Sequence, residues 1–501
     1  MSLSTITTRA QFGVQAPEVR VETHISNGLP ALSIVGLPET AVRESKERVR
    51  SALINSGFEF PHRRVTINLA PADLPKQGGR YDLAIAMGIL VATQQVATEA
   101  VGHLEFIAEL GLGGELRTVT GALPAAMAAA KAQRGLVVAL ENAMEASWSD
   151  AKPVFGARNL VELCQHLREG GILQTVARPA PSFGAHHAPD LNEVMGQFRP
   201  RRALELAAAG QHNLLFYGPP GTGKSMLASR LPGILPPLSR EQALEVASLY
   251  SLVGESRLSQ SFLKRPFRSP HHSASSPSLV GGGSMPRPGE ISLAHHGVLF
   301  MDELPEFGRH VLQVLREPLE SGEIHIARAQ ASLRFPAQFQ LVAAMNPCPC
   351  GYAGHPAITC ECSPQQILQY RNKLSGPLLD RFDLQVEVGV PPARALLDDL
   401  EAESSAQVAE RVLRARDIQL ARQGKTNHAL GSKELKHVCH LDRSLQTHLE
   451  QSMERLAISA RGIHRVLRVA RTLADLEASE CLTKRHIMEA LAFRSLSRRP
   501  Q

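Results

Sequence analysis

The sequence has 501 residues, which is too long for one compact core and predicts two or three domains. Its 54 basic and 48 acidic residues leave a net charge of +6, which is compatible with a polyanionic partner but does not require one. Seven cysteines, an odd and sparse number, argue against a disulfide framework. The sequence shows neither a secretory signal nor an apolar run of membrane length, so we expect a cytoplasmic protein without membrane contact.

The first part of the chain, residues 1–175, is predicted to be a mixed α/β domain. Short apolar runs such as "VRVETHI" and "RVTINLA" alternate there with helix-like segments such as "ETAVRESKERVRSALINSG". The segment "VARPAPSFGAHHAPD", residues 176–190, concentrates proline, alanine, glycine and histidine without periodicity. This composition predicts a linker.

Residues 191–393 are predicted to form a second α/β domain, built on a parallel sheet. Buried-strand signals at "NLLFYG", "GVLFMDE" and "FQLVAAMNP" are separated there by helical segments. From residue 394 to residue 501 the strand signal disappears. Amphipathic segments such as "SAQVAERVLRARDIQLARQ" predict a helical region at this end of the chain.

The segment "GPPGTGKS", residues 218–225, is typical of a phosphate-binding loop because it follows an apolar strand and precedes a helix-like run. Its glycines let backbone N–H groups approach phosphate oxygens, beside the positive end of the next helix. Lys224 is expected to contact the β and γ phosphates of ATP, and Ser225 to ligate Mg²⁺. The predicted nucleotide-binding set is Gly218, Pro219, Pro220, Gly221, Thr222, Gly223, Lys224, Ser225 and Met226.

Two further strands end in polar residues that suit nucleotide hydrolysis. The segment "GVLFMDEL" delivers Asp302, expected to hold Mg²⁺ through water, and Glu303, expected to polarise the attacking water. The strand "QLVAAMN" ends in Asn346, expected to orient that water beside the γ-phosphate. The alternatives are an acidic helix start for the first pair and a turn-forming asparagine before Pro347 for the second.

Arginines near the end of the second domain are candidates for completing such a site. Arg381, in "SGPLLDRFDLQVEV", cannot easily serve its own phosphate loop, so it is predicted to complete the site of a neighbouring copy. The alternative is a surface salt bridge with Asp380 or Asp383. In "SARGIHRVLRVARTLADLE" four arginines lie on one predicted helix, three of them on one face. One of these is expected to sense phosphate.

Four of the seven cysteines lie in "MNPCPCGYAGHPAITCECS", residues 345–363. Four thiolates can close a tetrahedral zinc shell, and the glycine-rich loop between the two pairs lets them meet. Each pair has one intervening residue where zinc knuckles usually have two or more, which leaves His355 as a substitute ligand. Unliganded packing and a redox switch are the alternatives. The predicted ligands of a structural Zn²⁺ are Cys348, Cys350, Cys360 and Cys362.

These elements, in this order, resemble the AAA+ ATPases. The segments "RPFRSPHHSASSPSLVGGGSMPRPGEISLAHHGVLFMDELPEF", "LVAAMNPCPCG" and "LSGPLLDRFDLQVEV" together resemble one branch, the ComM/YifB family of magnesium-chelatase-like proteins. The resemblance implies an insert in the second helix of the ATPase core, around 275–293, and a β-hairpin before the sensor strand, around 323–335. It also implies a ring, a hexamer, in which Arg381 is the arginine finger and Arg461 the second sensor.

The resemblance further implies a DNA helicase that drives branch migration while incoming single strands are integrated during natural transformation. Single-stranded and branched DNA are the implied partners, together with recombinase or loading proteins. The tract from Lys264 to Gly289 holds no acidic residue and suits phosphate contacts, with a merely solvated basic loop as the alternative. The alternative function is a motor that remodels a protein partner, as the magnesium-chelatase ATPase subunit does. The DNA-binding candidates are Lys264, Arg265, Arg268, Arg287, Arg328 and Arg334.

The first domain resembles the Lon-type fold through "TINLAPADLPKQGGRYDLAIAMGIL" and "FIAELGLGGELRTVTGALPAA". A Lon protease needs a serine activated by a lysine. No serine occurs from Val65 to Leu90, and the lysine position holds Thr118 or Thr120. The dyad is therefore predicted to be absent, and the domain to be a DNA-binding or assembly platform. Its basic candidates, with ordinary surface charge as the alternative, are Arg63, Arg64, Lys76 and Arg80.

Overall fold

The structure is a computed structural model that describes residues 2–36, 39–178, 189–255, 261–283, 286–327, 332–390, 402–456 and 458–494. The predicted linker, 176–190, lies largely outside these ranges, and the predicted boundary at residue 394 lies outside them altogether. None of the helices in the described ranges combines the length and the apolar character that a membrane span requires.

The N-terminal part of the chain folds into a mixed α/β unit, as predicted. Its strands are β1 (Ser2–Arg9), β2 (Glu18–Ser26), β3 (Ala31–Val35), β4 (Arg64–Ala70), β5 (Leu104–Ile107), β6 (Glu109–Leu110), β7 (Leu116–Arg117), β8 (Gly135–Ala139) and β9 (Val154–Ala157). Its helices are α1 (Thr40–Asn55), α2 (Asp82–Ala92), α3 (Thr98–Val101), α4 (Ala122–Lys131), α5 (Leu140–Ala146) and α6 (Leu160–Glu169), with a 3₁₀ turn at Gly79–Tyr81.

Seven of these strands form one sheet in the order β3-β4-β2-β1-β5-β8-β9. The β1/β2 and β2/β4 pairs are antiparallel and the other neighbours run parallel. Every second residue of β2 is buried, which is the period of a strand with one face on a core. Helix α2 is buried along its whole length and belongs to that core.

The second unit contains the predicted parallel sheet. Its strands are β10 (Leu214–Tyr217), β11 (Phe267–Arg268), β12 (Gly281–Gly282), β13 (Arg287–Pro288), β14 (Val298–Met301), β15 (Glu323–Ala327), β16 (Ser332–Pro336), β17 (Gln340–Met345) and β18 (Leu384–Glu387). Its helices are α7 (Phe198–Gly210), α8 (Lys224–Ile234), α9 (Arg240–Leu252), α10 (Ser276–Val280), α11 (Glu290–Leu293), α12 (Arg309–Val314), α13 (Pro318–Ser321), α14 (Pro364–Asn372) and α15 (Gly376–Leu379), with 3₁₀ turns at Leu191–Glu193 and Leu304–Glu306.

Five strands form the central sheet in the order β11-β14-β17-β10-β18, and all of its pairs are parallel. The carboxyl ends of β10, β14 and β17 therefore meet at one edge, where ligands of open parallel sheets bind. The β12/β13 ladder between α10 and α11 occupies the predicted helix-2 insert. The β15/β16 hairpin occupies the predicted position before the sensor strand.

The C-terminal region is helical, as predicted. Its helices are α16 (Ser405–Gln423), α17 (Ser432–Val438), α18 (Arg443–Leu456), α19 (Ala460–Leu476) and α20 (Lys484–Ala492), with a 3₁₀ turn at Asn427–Ala429. Ser404 and Gln407 form a capping box that starts α16, and Gly424 ends it in the left-handed conformation. The apolar face of α16 packs into one cluster with α7 and α8, so this region covers one face of the central sheet.

The first unit packs directly on the second unit. Its Trp148 lies in one apolar cluster with residues of β14 and β17, and the ring centroids of Trp148 and Phe262 are 3.9 Å apart. Arg240 and Asp150 form an ion pair of 2.7 Å across the same interface. The two units therefore share a buried apolar interface as well as polar contacts.

Candidate nucleotide site

The phosphate loop connects β10 to α8. Gly218, Gly221 and Gly223 have φ angles of 158°, 76° and 85°, which side-chain-bearing residues rarely adopt. A Cβ on Gly218 would lie 2.1 Å from the carbonyl oxygen of Val388, so this position also excludes a side chain for lack of space. The loop is thus built for the close backbone approach that phosphate binding requires.

Lys224 is buried inside the loop. Its Nζ donates to the carbonyl oxygens of Gly218 and Pro219, both at 2.7 Å, and to Asn346 Oδ1 at 3.2 Å. Burial lowers the pKa of Lys224, and Asp302 and Glu303 oppose that shift. The structure therefore brings together the lysine after β10 and the asparagine after β17.

The end of β14 adds the acidic groups. Ser225 Oγ donates to Asp302 Oδ2 at 2.5 Å, and the backbone N–H of Glu303 donates to Asp302 Oδ1 at 2.9 Å. A hydroxyl and a carboxylate at this separation are oxygen donors of the kind that Mg²⁺ takes beside nucleotide phosphates. Lys224, Ser225, Asp302 and Asn346 thus form one cluster that fits ATP with Mg²⁺.

Glu303 has a left-handed backbone and a partner that sequence reasoning missed. Its φ is 50°, and its Oε2 lies 3.3 Å from His272 Nδ1. His272 belongs to the segment between β11 and α10 that leads into the insert. The doubled histidine in "SPHHSAS" is the only signal in the sequence that points to it, and it does not identify the partner.

Arg381 is not placed at the phosphate loop of its own chain. Its Nη1 donates to the carbonyl oxygen of Pro377 at 2.6 Å, and its Nη2 pairs with Glu320. The salt bridge considered as the alternative, with Asp380 or Asp383, is therefore not the one that forms. Burial lowers the pKa of Arg381.

Arg381 and Arg461 line the same groove, whose volume is about 640 Å³. Arg465 and Arg468 line it as well, and no phosphate-loop residue does. The two predicted arginines thus lie together, at a surface separate from Lys224.

The four cysteines meet despite the short spacing within each pair. The Sγ atoms of Cys348 and Cys350 are 3.3 Å apart, those of Cys348 and Cys360 3.6 Å, and those of Cys350 and Cys360 3.5 Å. Cys362 completes the group, in which all four Sγ atoms lie within 4.8 Å of one another. Zinc–sulfur bonds of about 2.3 Å in a tetrahedron require S···S separations of about 3.8 Å.

Backbone groups support this cysteine cluster. The N–H of Cys350 donates to Cys362 Sγ at 3.4 Å, and that of Ala353 donates to Cys348 Sγ at 3.3 Å. His355 was the predicted substitute ligand, but its Nδ1 instead accepts from backbone N–H groups of the following turn, and it is not part of the group. The donor set therefore fits a structural metal ion held by four thiolates.

The cysteine loop touches the phosphate loop. Gly351 has a φ of 88°, and a Cβ there would lie 2.8 Å from Cδ of Pro220. The start of the cysteine loop is also bonded to helix α14, where Arg371 Nε donates to the carbonyl oxygen of Pro347 at 3.4 Å. The cysteine loop thus begins directly after Asn346 and contacts the phosphate loop, the two segments that surround Lys224.

The basic candidates for DNA contact divide by burial. Arg265 is wrong as a surface candidate, because its Nε and Nη1 donate to the carbonyl oxygens of Pro236 and His296, both at 2.7 Å, and burial lowers its pKa to about 10. Arg268 is taken up by a bidentate ion pair with Glu290, two contacts of 2.6 Å. Arg328 lies outside the described residues. The exposed candidates are Lys264, Arg287 and Arg334.

The basic candidates of the first unit also divide. Arg63 and Arg64 are exposed, whereas Lys76 and Arg80 are buried. The prediction that basic side chains of this unit lie on a DNA-binding or assembly surface is therefore wrong for Lys76 and Arg80. The Nζ of Lys76 contacts the carbonyl oxygen of Pro71, and Arg80 Nη1 donates to Thr120 and to Gln11.

The two segments in which a Lon-type dyad would lie meet at a cavity of about 190 Å³. Gln77, Gly78 and Thr120 line it, and none of its described lining residues is serine or lysine. The described part of the chain therefore offers no Ser/Lys pair at this place.

Three family models match consecutive parts of the chain. The model of subunit ChlI of Mg-chelatase matches residues 21–142, that of magnesium chelatase, subunit ChlI, residues 190–396, and that of the C-terminal part of the subunit residues 402–494. These families imply an ATPase that uses ATP and Mg²⁺.

Relatives extend the match to nearly the full length. The chain is 51% identical to the competence protein ComM of Haemophilus influenzae over 504 residues, 99% of this chain and 98% of that protein. It is 50% identical to the uncharacterized protein YifB of Escherichia coli over 502 residues, again 99% of this chain and 98% of that protein. The magnesium-chelatase 38 kDa subunit of Rhodobacter capsulatus is 28% identical over 43% of this chain and 61% of that protein. The chain therefore belongs to the ComM/YifB family of magnesium-chelatase-like AAA+ ATPases.

Proposed function

We propose that this protein is a cytoplasmic, ring-forming DNA translocase or helicase that uses ATP to promote branch migration. Its proposed role is the integration of single-stranded DNA in natural transformation and recombination. The observation that best supports an ATP-driven motor is the cluster of Lys224, Ser225, Asp302 and Asn346. The name of the Haemophilus influenzae relative, a competence protein, supports a role in competence and transformation.

Each side chain of the cluster, and Glu303 next to it, has a role in the proposed hydrolysis. Lys224 binds the β and γ phosphates, and Ser225 and Asp302 hold Mg²⁺, which neutralises phosphate charge when bound. Glu303 takes the proton of the attacking water, and Asn346 orients that water. The role proposed for Asn346 is supported by the hydrogen bond that its Oδ1 accepts from Lys224 Nζ.

Arg381 and Arg461 are proposed to act on the nucleotide of the neighbouring subunit in a hexamer. Their shared groove and its separation from the phosphate loop support this assignment. An arginine supplied by a neighbour stabilises charge in the transition state and makes hydrolysis depend on assembly.

The DNA-facing surface is proposed to include the exposed candidates of the insert and the hairpin. Arg287 belongs to β13 of the insert and Arg334 to β16 of the hairpin, and Lys264 precedes β11. Contacts of this kind go to phosphates and lose affinity as salt rises. Arg328 stays a prediction of the same kind.

We also propose that the four cysteines hold a structural Zn²⁺. The Sγ separations and the two N–H···S bonds support this assignment. Four protein ligands leave no open position, so the ion would serve the fold and take no part in the chemistry.

The function is tested by measuring ATP hydrolysis with and without single-stranded DNA and by following strand separation in a labelled three-strand or four-strand junction. We expect DNA to stimulate hydrolysis and the junction to be resolved only with ATP and Mg²⁺. Intact hydrolysis without DNA stimulation and without strand movement would overturn the proposal.

That last outcome would favour the second candidate, a motor that remodels a protein partner. The similarity to the 38 kDa subunit of magnesium chelatase, and the family models that match this chain, are the observations in its favour.

A further inference from the structure

A buried hydrogen-bond junction lies at the end of the central sheet opposite the phosphate loop, and Asn213 is its centre. Asn213 is 3% exposed and directly precedes β10. Its Nδ2 donates to the carbonyl oxygen of Arg381 at 3.1 Å, and its Oδ1 accepts from the backbone N–H of Leu341 at 2.8 Å. One side chain thus links β10, which leads to the phosphate loop, to β17, which leads to Asn346, and to the backbone of Arg381.

Asp383 completes the junction. Its carboxylate accepts from the backbone N–H of Asn213 at 3.1 Å and from Arg465 Nη1 at 2.7 Å, and it lies 2.8 Å from His428 Nδ1. Arg465 Nη1 also donates to the carbonyl oxygen of Arg381 at 3.2 Å. The backbone of Arg381 is therefore held from two sides, by the central sheet and by helix α19.

The strands that meet at Asn213 are short. β10 has 4 residues and β17 has 6, so they span about 13 and 20 Å at roughly 3.3 Å per residue. Because a buried amide without its partners is costly, the bonds of Asn213 are kept when the strands shift. A displacement of β10 or β17 at the phosphate-loop end would therefore reach the backbone of Arg381 through Asn213.

We infer that Asn213 is a positioning residue that ties the placement of Arg381 to the state of the chain's own phosphate loop and Asn346. It thereby sets how well this chain completes the nucleotide site of its neighbour. The inference rests on the proposed role of Arg381 at that neighbouring site. It assigns Asn213 no contact with nucleotide.

Subunit mixing tests the inference. Asn213→Ala keeps its own phosphate loop but misplaces Arg381, whereas Glu303→Gln cannot activate the attacking water but keeps its phosphate loop and Asn346, and with them a well-placed Arg381. Alone, each is expected to hydrolyse ATP at least tenfold more slowly than the wild type. Mixed at equal amounts, the Glu303→Gln subunits supply Arg381 to the Asn213→Ala sites, and we expect hydrolysis several-fold above either variant alone. Binding of a fluorescent ATP analogue to Asn213→Ala should stay within about threefold of the wild type.

Two variants accompany the mixing experiment. Arg381→Ala mixed with Glu303→Gln is the positive control. Gln340→Ala is the matched structural control, because its Nε2 makes two buried bonds of the same kind, to the carbonyl oxygens of Ala207 and His212, without touching Arg381. We expect no rescue of any Gln340→Ala defect by Glu303→Gln. Asn213→Ser, a smaller change, replaces Asn213→Ala if the latter does not assemble.

The outcomes separate the inference from the proposed function. If Arg381→Ala is rescued and neither Asn213 variant is, Asn213 is only structural and the inference is wrong, while the role of Arg381 stands. If Arg381→Ala itself is not rescued, the neighbouring role of Arg381 is wrong and the inference falls with it. Weaker binding of the ATP analogue by at least tenfold in both Asn213 variants would also overturn the inference, because the defect would then lie in the chain's own site.

Discussion

Lys224 is the side chain on which the proposed hydrolysis depends most directly. In the structure its ammonium group is satisfied by two carbonyl oxygens of its own loop and by Asn346 Oδ1, all within 3.2 Å. Phosphate oxygens would compete for the same donors, so Lys224 is placed to exchange protein acceptors for nucleotide ones.

Lys224→Ala is therefore expected to lower ATP hydrolysis at least 100-fold and to abolish strand movement. DNA binding should stay largely intact, because the exposed DNA-binding candidates are other residues. Hydrolysis, junction unwinding and a DNA-binding titration check this expectation, with the exposed Lys484→Ala as control. Loss of DNA binding as well would mean that binding depends on nucleotide-driven assembly.

His272 contacts the carboxylate proposed to activate water, with Nδ1 3.3 Å from Glu303 Oε2. A carboxylate engaged by this histidine is less available to accept a proton. His272→Ala should therefore raise hydrolysis in the absence of DNA by about two- to fivefold and reduce the stimulation by DNA. The neighbouring His271→Ala, whose Nδ1 lies 2.8 Å from Ser273 Oγ, is the matched control. A slower DNA-independent rate in His272→Ala alone would show that the contact supports catalysis instead.

The residues of this site differ in how far sequence could predict them. Lys224 and Ser225 lie within one continuous motif whose spacing already states the chemistry. His272 and Asn213 contact partners far along the chain. The doubled histidine marks His272 without identifying Glu303 as its partner, and no local pattern distinguishes Asn213 from other polar residues. The prediction for Arg265 is wrong because the number of basic residues in a tract does not show which of them are buried.

At the scale of elements, the cysteine loop is the segment whose position matters most for the site. Sequence placed it after the strand that ends in Asn346, which the structure confirms. Its contact with the phosphate loop was not predictable, because Gly351 and Pro220 are distant in sequence. The strand order of the central sheet also depends on contacts between segments that are distant in sequence, so only the structure shows it. The parallel α/β pattern, the insert and the hairpin were predicted from the sequence.

Gly351→Ala should disturb the phosphate loop by contact. The new Cβ would lie 2.8 Å from Cδ of Pro220, well inside van der Waals contact. Gly354→Ala is the matched control, because Gly354 has a similar φ of 81° but nothing within 4 Å. Both changes carry a backbone cost of about 1–2 kcal/mol. We expect only Gly351→Ala to weaken ATP binding, by about tenfold, in a nucleotide titration; equal effects would refute the contact argument.

Removal of the metal should act on the same loop. Cys360→Ser is expected to lose bound zinc, lower the thermal unfolding midpoint and slow ATP hydrolysis, because the loop supports the segments around Lys224. His355→Ala should keep zinc, since that side chain lies outside the group. Metal content, thermal unfolding and hydrolysis are measured on protein purified without chelator. The zinc assignment is rejected if the wild type contains no zinc and all four thiols react freely.

At the scale of the whole molecule, the first unit and the ATPase core share one apolar cluster. Sequence predicted two α/β units but not this interface, because an apolar residue such as Trp148 fits the core of its own unit equally well. Unfolding of one unit would expose the apolar surface that it covers on the other unit, and would therefore destabilise that unit. A cooperative transition of both is expected.

Trp148→Ala tests the energetic weight of that interface. Trp148 is 1% exposed and packs against Phe262 with the two ring planes tilted by 34°, so its truncation should lower the free energy of unfolding by about 3–5 kcal/mol. Leu29→Ala, at a position that is 88% exposed, should change it by less than about 0.5 kcal/mol. Denaturant titrations followed by circular dichroism measure both. A loss below 1 kcal/mol for Trp148→Ala would mean that the interface contributes little.

Trp148 is also the only tryptophan in the sequence. Its indole reports on the contact between the first unit and the core without any label, through the wavelength and intensity of its emission. Stopped-flow fluorescence of the unmodified protein, mixed with ATP or with DNA, can therefore time any separation of the two units during a catalytic cycle.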